Sequence, residues 1–483
     1  MSLSLNALII KSWPMNPREF QALLNQKIFT SPEKDKAWTL YKKESPQKAL
    51  AFLQTIENKF GSIRRSLLLH PLPVPYKVWG ENYIEAETIA QMDRAARLPV
   101  ALAGALMPDA HLGYGLPIGG VLATENSVIP YAVGVDIACR MKLTIYPLPA
   151  HVLENPTSVE YKHLYSALLD NTVFGAGAAG IHKGKIDHPI LEKSQWELTS
   201  LTRSLRQTAI YQIGTSGGGN HFVEWGELKI FEAENPFKLA AGSYLALLSH
   251  SGSRGVGFKI ADYYTKMAMT QLKELDHSVK HLAWLRLDHD LGREYWEAMQ
   301  LAGQFASANH HVIHQRIAEA AGITPIATVE NHHNFAWREK IHVQGKEKEA
   351  IVHRKGSTPS GKGVLGIIPG TMADAGYVVV GKGNPDSLNS ASHGSGRQMA
   401  RTKAKKTISL EQHLNSLLKQ GINLIGGGLD ESPQAYKPIE AVMEEQKDLV
   451  EVIGKFQPRI VRMAAEGSLS SLSSLPQGIV EGE

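Results

Sequence analysis

Between residues 16 and 70 the apolar positions recur every three or four residues, the spacing of short amphipathic helices. PREFQALLNQKI keeps this spacing behind a proline suited to a first helical turn. SPQKALAFLQTIENKF opens on Ser45 and Pro46, an N-cap and N1 pair. Prolines then crowd HPLPVPYKVWG, which reads as a connector and sets a boundary near residue 75. Beyond it glycine becomes dense, and short β-rich runs (GVLAT, MKLTIY, GYVVVG, INLIGG) alternate with helical stretches. The clearest helix is AWLRLDHDLGREYWEAMQLAGQFASANHHVIHQRIAEAAG. Nothing repeats at about 20–50 residues, which argues against solenoids and propellers. The order of elements is too irregular for a doubly wound sheet. The expectation is an α+β fold. It has a helical addition and linker over residues 1–75, one large domain of mixed sheets flanked by helices over 76–465, and a flexible or loosely docked Ser/Gly-rich tail over 466–483.

Composition narrows this picture only modestly. The formal charge of +4, from 51 basic and 47 acidic side chains, is too small to identify a nucleic-acid partner. A single cysteine excludes an intrachain disulfide and fits a reducing cytoplasm. The start, MSLSLNALIIKSW, lacks the charged region and long apolar run of a secretory signal. No stretch approaches the ~20 apolar residues that span a bilayer. These features predict a cytoplasmic protein with no membrane partner.

Candidate chemistry gathers in glycine-punctuated segments. MPDAHLGYGLPIGG covers residues 107–120, and VGVDIACR sets Asp136 and Cys139 three apart. GTSGGGNHFVEW carries Asn220, His221 and Glu224, and SHSGSRGVG carries His250 and Arg254. NHHNF supplies His332 and His333, and SASHGSGR supplies His393 and Arg397. A thiolate, a carboxylate and several imidazoles together suit Zn, Mn, Fe or Co. Glycines let backbone N–H groups approach phosphate oxygens, and a neighbouring guanidinium strengthens such a nest. Each feature alone also has an ordinary structural explanation. A lone cysteine is more often a small buried hydrophobe, and His310, His311 and His314 belong to the helical stretch as structural residues. Neither a P-loop nor a Rossmann glycine pattern is present. A lysine segment of the usual nucleotidyl-transferring kind is missing as well. A nucleotide-activating enzyme of this sequence would need another nucleophile, and a neutral imidazole qualifies.

Together these segments resemble the RtcB family of tRNA-splicing and RNA-repair ligases. MPDAHLGYGLPIGG resembles the family's MPD-x-H-x-G-x-G-x-P-I-G-G, VGVDIAC its VG-x-D-I-x-C, GGGNHFVE its GGGNHF-x-E, and HSGSRG its histidine-bearing counterpart. HHNF, VHRKG, IIPGTM, HGSGR and AYK follow in the family's order, so the likeness runs from about residue 75 to residue 463. The resemblance implies two Mn²⁺ ions bridged by Cys139. Asp136 and His221 complete one site, and His250 and His333 the other. It also implies that His393 is guanylylated by GTP, and Asp109 is a candidate for the carboxylate that fixes the tautomer of its ring. GMP then passes to an RNA 3′-phosphate, a 5′-hydroxyl displaces it, and a 2′,3′-cyclic phosphate is opened beforehand. Asn220 is expected at the nucleotide phosphates, and Glu224 at the guanine edge. Arg254, Lys355 and Arg397 are candidates for RNA phosphates.

The sequence departs from the family around the nucleotide base. The family's PGSM-x-x-x-S run reads PGTMADAGY, so Thr371 keeps the first hydroxyl while Gly376 replaces a second serine. Arg462 stands in for a C-terminal lysine near the base. These departures and the N-terminal addition suggest a divergent branch devoted to RNA repair. Competing readings are a nucleotidyltransferase that caps 3′-phosphates without sealing them, a dinuclear phosphodiesterase using the same metals without His393, and a non-catalytic RNA-binding homologue.

Overall fold

The computed structural model describes residues 16–26, 28–175 and 186–465. The tail expected over 466–483 therefore lies outside the described residues. The N-terminal pattern folds as read: helices span Pro17–Leu24, Ser31–Lys43 and Pro46–Ile56. Asn16 and Ser45 cap the first and third, with the Ser45 hydroxyl accepting the Lys48 N–H at 3.1 Å. Phe20, Leu23, Ala37, Ala49 and Leu53 pack into an apolar cluster drawn wholly from this region. Arg64 ties the region to the rest of the chain, pairing with Glu33 and Glu274, each at 2.7 Å. The proline-rich connector is not wholly irregular. Tyr76–Val78 pairs in parallel with Ala101–His111 as an edge strand, where missing proline donors cost no ladder bonds.

Two mixed sheets follow, as expected of an α+β fold. The smaller runs, in spatial order, Tyr76–Val78, Ala101–His111, Ile118–Thr124, Lys346–Lys355 and Asn334–Val343. The larger runs Leu365–Ile368, Gly376–Gly381, Val450–Ala465, Phe222–Ile230, Gly242–Ser251, Arg140–Tyr146 and Ala327–His332. Asn423–Gly427 adds in parallel to Val450–Ala465. The long helix, Asp290–Ala321, starts seven residues inside the segment predicted for it and ends at Gly322 in the left-handed conformation. Its Ile313 and Ile317 pack with Tyr146, Trp225 and Leu247 from the large sheet, while Phe305 and Ala302 join the other main core cluster.

The register of the large sheet matters most for function. Phe222 faces His250, Arg140 faces Ser251 on one side, and Arg140 faces His332 on the other. His221, His250, Cys139 and His333 are therefore brought to the same end of four adjacent strands. No helix among the described residues is long and apolar enough to cross a membrane.

Candidate active site

At that shared end lies a cavity of about 810 Å³. Cys139 Sγ lies 3.4 Å from His221 Nε2 and 3.2 Å from His250 Nε2. His221 Nε2 is also 3.1 Å from Asp136 Oδ2, and His250 Nε2 is 3.3 Å from His333 Nε2. The five side chains thus form one continuous run of close contacts, Asp136–His221–Cys139–His250–His333. All five residues line the cavity.

Local backbone makes this convergence possible. The Cys139 N–H donates to the Asp136 carbonyl at 3.1 Å, and the His333 N–H donates to the Cys139 carbonyl at 3.0 Å. Asp136 Oδ1 accepts the Ser253 N–H at 3.1 Å. Gly252 is required beside it, because a Cβ there would collide with both carboxylate oxygens.

The electrostatics fit a divalent metal. His221 Nδ1 donates to the Ser216 carbonyl at 2.7 Å, which turns Nε2 toward Asp136 and Cys139. Burial holds His250 and His333 well below imidazole's usual range, so both rings are neutral. Burial, then the Asp136 carboxylate, push the Cys139 thiol well above its usual range. Burial would also raise Asp136, but its hydrogen bond with His221 and the charges of His221 and Arg254 outweigh that and hold it low. A thiol so disfavoured as an anion would become a thiolate only with a cation beside it. Cys139, His221 and His250 offer donor atoms all within 4.8 Å of one another.

Beside this centre stands His393. Its ring centroid lies 4.8 Å from that of His333. Asp109, fully buried, places Oδ2 at 2.6 Å from His393 Nδ1 and 3.1 Å from the His393 N–H. Nδ1 is thereby occupied and Nε2 left for chemistry. Gly356, at φ +64°, packs against the same ring, and a Cβ there would lie 3.3 Å from His393 Cε1.

Other expected residues fare unevenly. Asn220, Thr371 and Lys355 line the cavity. The Thr371 hydroxyl donates to Asp374 at 2.6 Å. Lys355 Nζ donates to the Tyr114 and Leu116 carbonyls, and burial lowers its ammonium to about 7. Arg397 also lines the cavity, yet it is not a free anion binder. Its guanidinium is occupied by the Met399 and Asp430 carbonyls, by Glu431 at 3.3 Å and by Tyr436 at 3.1 Å. Arg254 lies behind the wall, donating to Thr215 at 3.1 Å and to the Gly175 carbonyl at 3.0 Å. Arg462 lies outside the cavity lining. It projects from the face of its strand opposite Met463, donates to the Leu168 and Leu169 carbonyls, and covers Phe174. Glu224 shares the sheet face of Phe222 and Val461 but lies behind the cavity wall, with Oε2 buried and unpartnered and its carboxyl raised well above the usual range by burial. Gly376 begins its strand outside the cavity lining.

Two basic residues at the cavity escaped notice. Lys437 Nζ donates to the Pro108 and Ala110 carbonyls at 3.0 and 2.7 Å, gripping the chain on both sides of Asp109. Its only sequence signal was the AYK triplet. Arg401, paired with Asp430 at 2.7 Å and with Glu431, had none.

A buried cluster of one cysteine and three imidazoles, with a carboxylate-held histidine at its side, is an arrangement suited to binding a metal ion. A family model described as "tRNA-splicing ligase RtcB" matches residues 91–464. The RNA-splicing ligase RtcB of Escherichia coli strain K12 is 32% identical over 402 residues, spanning 78% of this chain and 95% of the relative. The tRNA-splicing ligase RtcB of Nanoarchaeum equitans is 28% identical over 456 residues, spanning 80% and 94%. The chain belongs to the RtcB family of RNA ligases.

Proposed function

We propose that this chain is a GTP-dependent ligase that joins RNA 3′-phosphate or 2′,3′-cyclic phosphate ends to 5′-hydroxyl ends. The observation that carries the reading is the 2.6 Å pair of Asp109 and His393 beside the sulfur–imidazole cluster. Asp109 holds the proton on Nδ1 and stabilises the charge that develops as Nε2 attacks the α-phosphorus of GTP. The new N–P bond replaces the α–β phosphoanhydride bond, and pyrophosphate leaves. An oxygen of the RNA 3′-phosphate then displaces His393, giving an RNA end linked to GMP through a diphosphate. The 5′-hydroxyl attacks the RNA phosphorus, and GMP leaves as the phosphodiester forms.

Asp136, Cys139 and His221 would hold one Mn²⁺, and Cys139, His250 and His333 the other. Such ions neutralise the oxygens of transferring phosphoryl groups. Asn220 is assigned to nucleotide phosphates. Thr371 borders the nucleotide, its hydroxyl oriented by Asp374. Glu224 is assigned to guanine, because a buried carboxylate oxygen without a partner is costly until donors such as N1–H and N2–H meet it. Lys355 keeps one ammonium proton beyond its two carbonyl partners, which suits an RNA phosphate. Residues 1–75 are assigned to an addition outside the catalytic domain of 76–465.

The test is a sealing reaction containing GTP, Mn²⁺, a 3′-phosphate RNA and a 5′-hydroxyl RNA. Wild type is expected to give sealed product and His393→Ala none. A guanylylated 3′ end that is never sealed would mean a capping enzyme. Turnover that survives His393→Ala would mean a phosphodiesterase.

A further inference from the structure

The cavity rim carries an aromatic surface that guanylylation leaves unused. Leu112 and Ile118 both line the cavity, and the chain between them forms a loop with Tyr114 near its tip. Four consecutive carbonyls of this loop are pinned. Gln91 Nε2 donates to those of Gly113 and Gly115 at 2.5 and 2.8 Å, and Lys355 Nζ to those of Tyr114 and Leu116. The Gly113 N–H returns a bond to Gln91 Oε1 at 3.2 Å. Gly115 takes φ +73°, the left-handed turn that lets the loop double back.

The backbone is thus fixed without help from the tyrosine ring, yet that ring is held out at 73% exposure. Behind it are two half-buried rings. Tyr131 lies 6.4 Å away by centroid and His281 6.3 Å, with 5.5 Å between those two. Lys280, next to His281 in the chain and half-buried, sets an ammonium at the edge of this surface. It is also close to the chemistry: Lys355 precedes Gly356, which packs on His393.

An exposed ring on a rigid loop, backed by further rings and with a lysine at its edge, is an arrangement on which single-stranded nucleic acids stack their bases. We propose that Tyr114, supported by Tyr131 and His281, is a stacking platform for one unpaired nucleobase of the RNA near the end being joined. The proposal rests on the RNA-ligase reading. Because every base has a π-face, the platform grips RNA with little regard to sequence. Pre-organisation of the loop spares the ordering cost that a mobile aromatic would incur.

The test compares Tyr114→Ala, Tyr114→Phe and wild type in sealing reactions. The substrates are oligonucleotides carrying one abasic position, moved stepwise along the 3′-phosphate strand and then the 5′-hydroxyl strand. Self-guanylylation, which takes no RNA, checks that each variant is folded around His393. Tyr114→Ala is expected to raise the half-saturating RNA concentration about tenfold, and Tyr114→Phe to stay near wild type. One abasic position should cost wild type a similar factor and cost Tyr114→Ala almost nothing further, since ring and base are then lost together. Unchanged half-saturation in Tyr114→Ala, while wild type seals RNA, would overturn the platform alone. So would equal losses in the Ala and Phe variants, which would point to the hydroxyl. If wild type neither seals nor binds RNA, the ligase reading is what fails, and the platform falls with it.

Discussion

Replacing Asp109 with asparagine changes one atom and tests how the nucleophile is prepared. Oδ2 of Asp109 accepts twice from His393, from Nδ1 at 2.6 Å and from the backbone N–H at 3.1 Å, while Oδ1 is buried without a partner. The asparagine has two ways to fit. With its carbonyl at the Oδ2 position it keeps both bonds but loses charge assistance. The difference between charged and neutral hydrogen bonds is about 1–1.5 kcal/mol, roughly a tenfold rate loss. This arrangement also leaves a buried NH₂ with no acceptor, which lowers stability by about 1–3 kcal/mol. With its NH₂ facing Nδ1, the ring must carry its proton on Nε2, and the attacking lone pair disappears. The same substitution in a serine–histidine–aspartate triad costs about 10⁴-fold. Single-turnover labelling by α-labelled GTP should therefore slow by about 10- to 10⁴-fold in Asp109→Asn, with metal content unchanged. A rate within about threefold of wild type, in a protein of normal melting temperature, would refute the role assigned to Asp109.

Other perturbations probe the rest of the site. Cys139→Ala removes the shared sulfur, and elemental analysis after Mn²⁺ loading should find metal lost from both groups. His250→Ala should empty mainly its own group, and full retention in either variant would contradict the ligand assignment. Burial lowers Lys355 to about 7 and Lys437 to about 8, so both ammonium charges fade as pH rises through that range. Affinity for a 3′-phosphate oligonucleotide should fall several-fold from about pH 6.5 to 8.5, and Lys355→Met should flatten the profile. An affinity that rises with pH in wild type would oppose this. Gly356→Ala combines φ +64° with a Cβ 3.0 Å from the Gly119 nitrogen and 3.3 Å from His393 Cε1. It should lower the melting temperature and slow guanylylation, and a normal rate would show that the ring tolerates displacement.

The sequence was most readable where local rules act alone. Helix starts at Asn16 and Ser45 are written in capping residues, and the 32-residue helix in its apolar period. Strands such as Gly376–Gly381 and Asn423–Gly427 were visible as β-branched runs bounded by glycine. The candidate metal ligands are recognisable as a set only by family resemblance, since the sheet register that aligns them pairs residues far apart in the chain. Arg462 and Arg397 illustrate the limit. A basic residue in a matching motif does not reveal which face of the strand it takes, or whether nearby carbonyls and Glu431 already occupy its donors. Lys437 was missed for the converse reason, because its partners are backbone carbonyls that leave no mark in sequence.

The most direct measurement is the transfer of label from α-labelled GTP to the protein in the presence of Mn²⁺, with His393→Ala and ATP as controls. Acid-labile label on wild type, from GTP and not from ATP, and none on His393→Ala is the expected result. Label that persists on His393→Ala, or a wild type that never becomes labelled while still sealing RNA, would contradict a guanylylated His393.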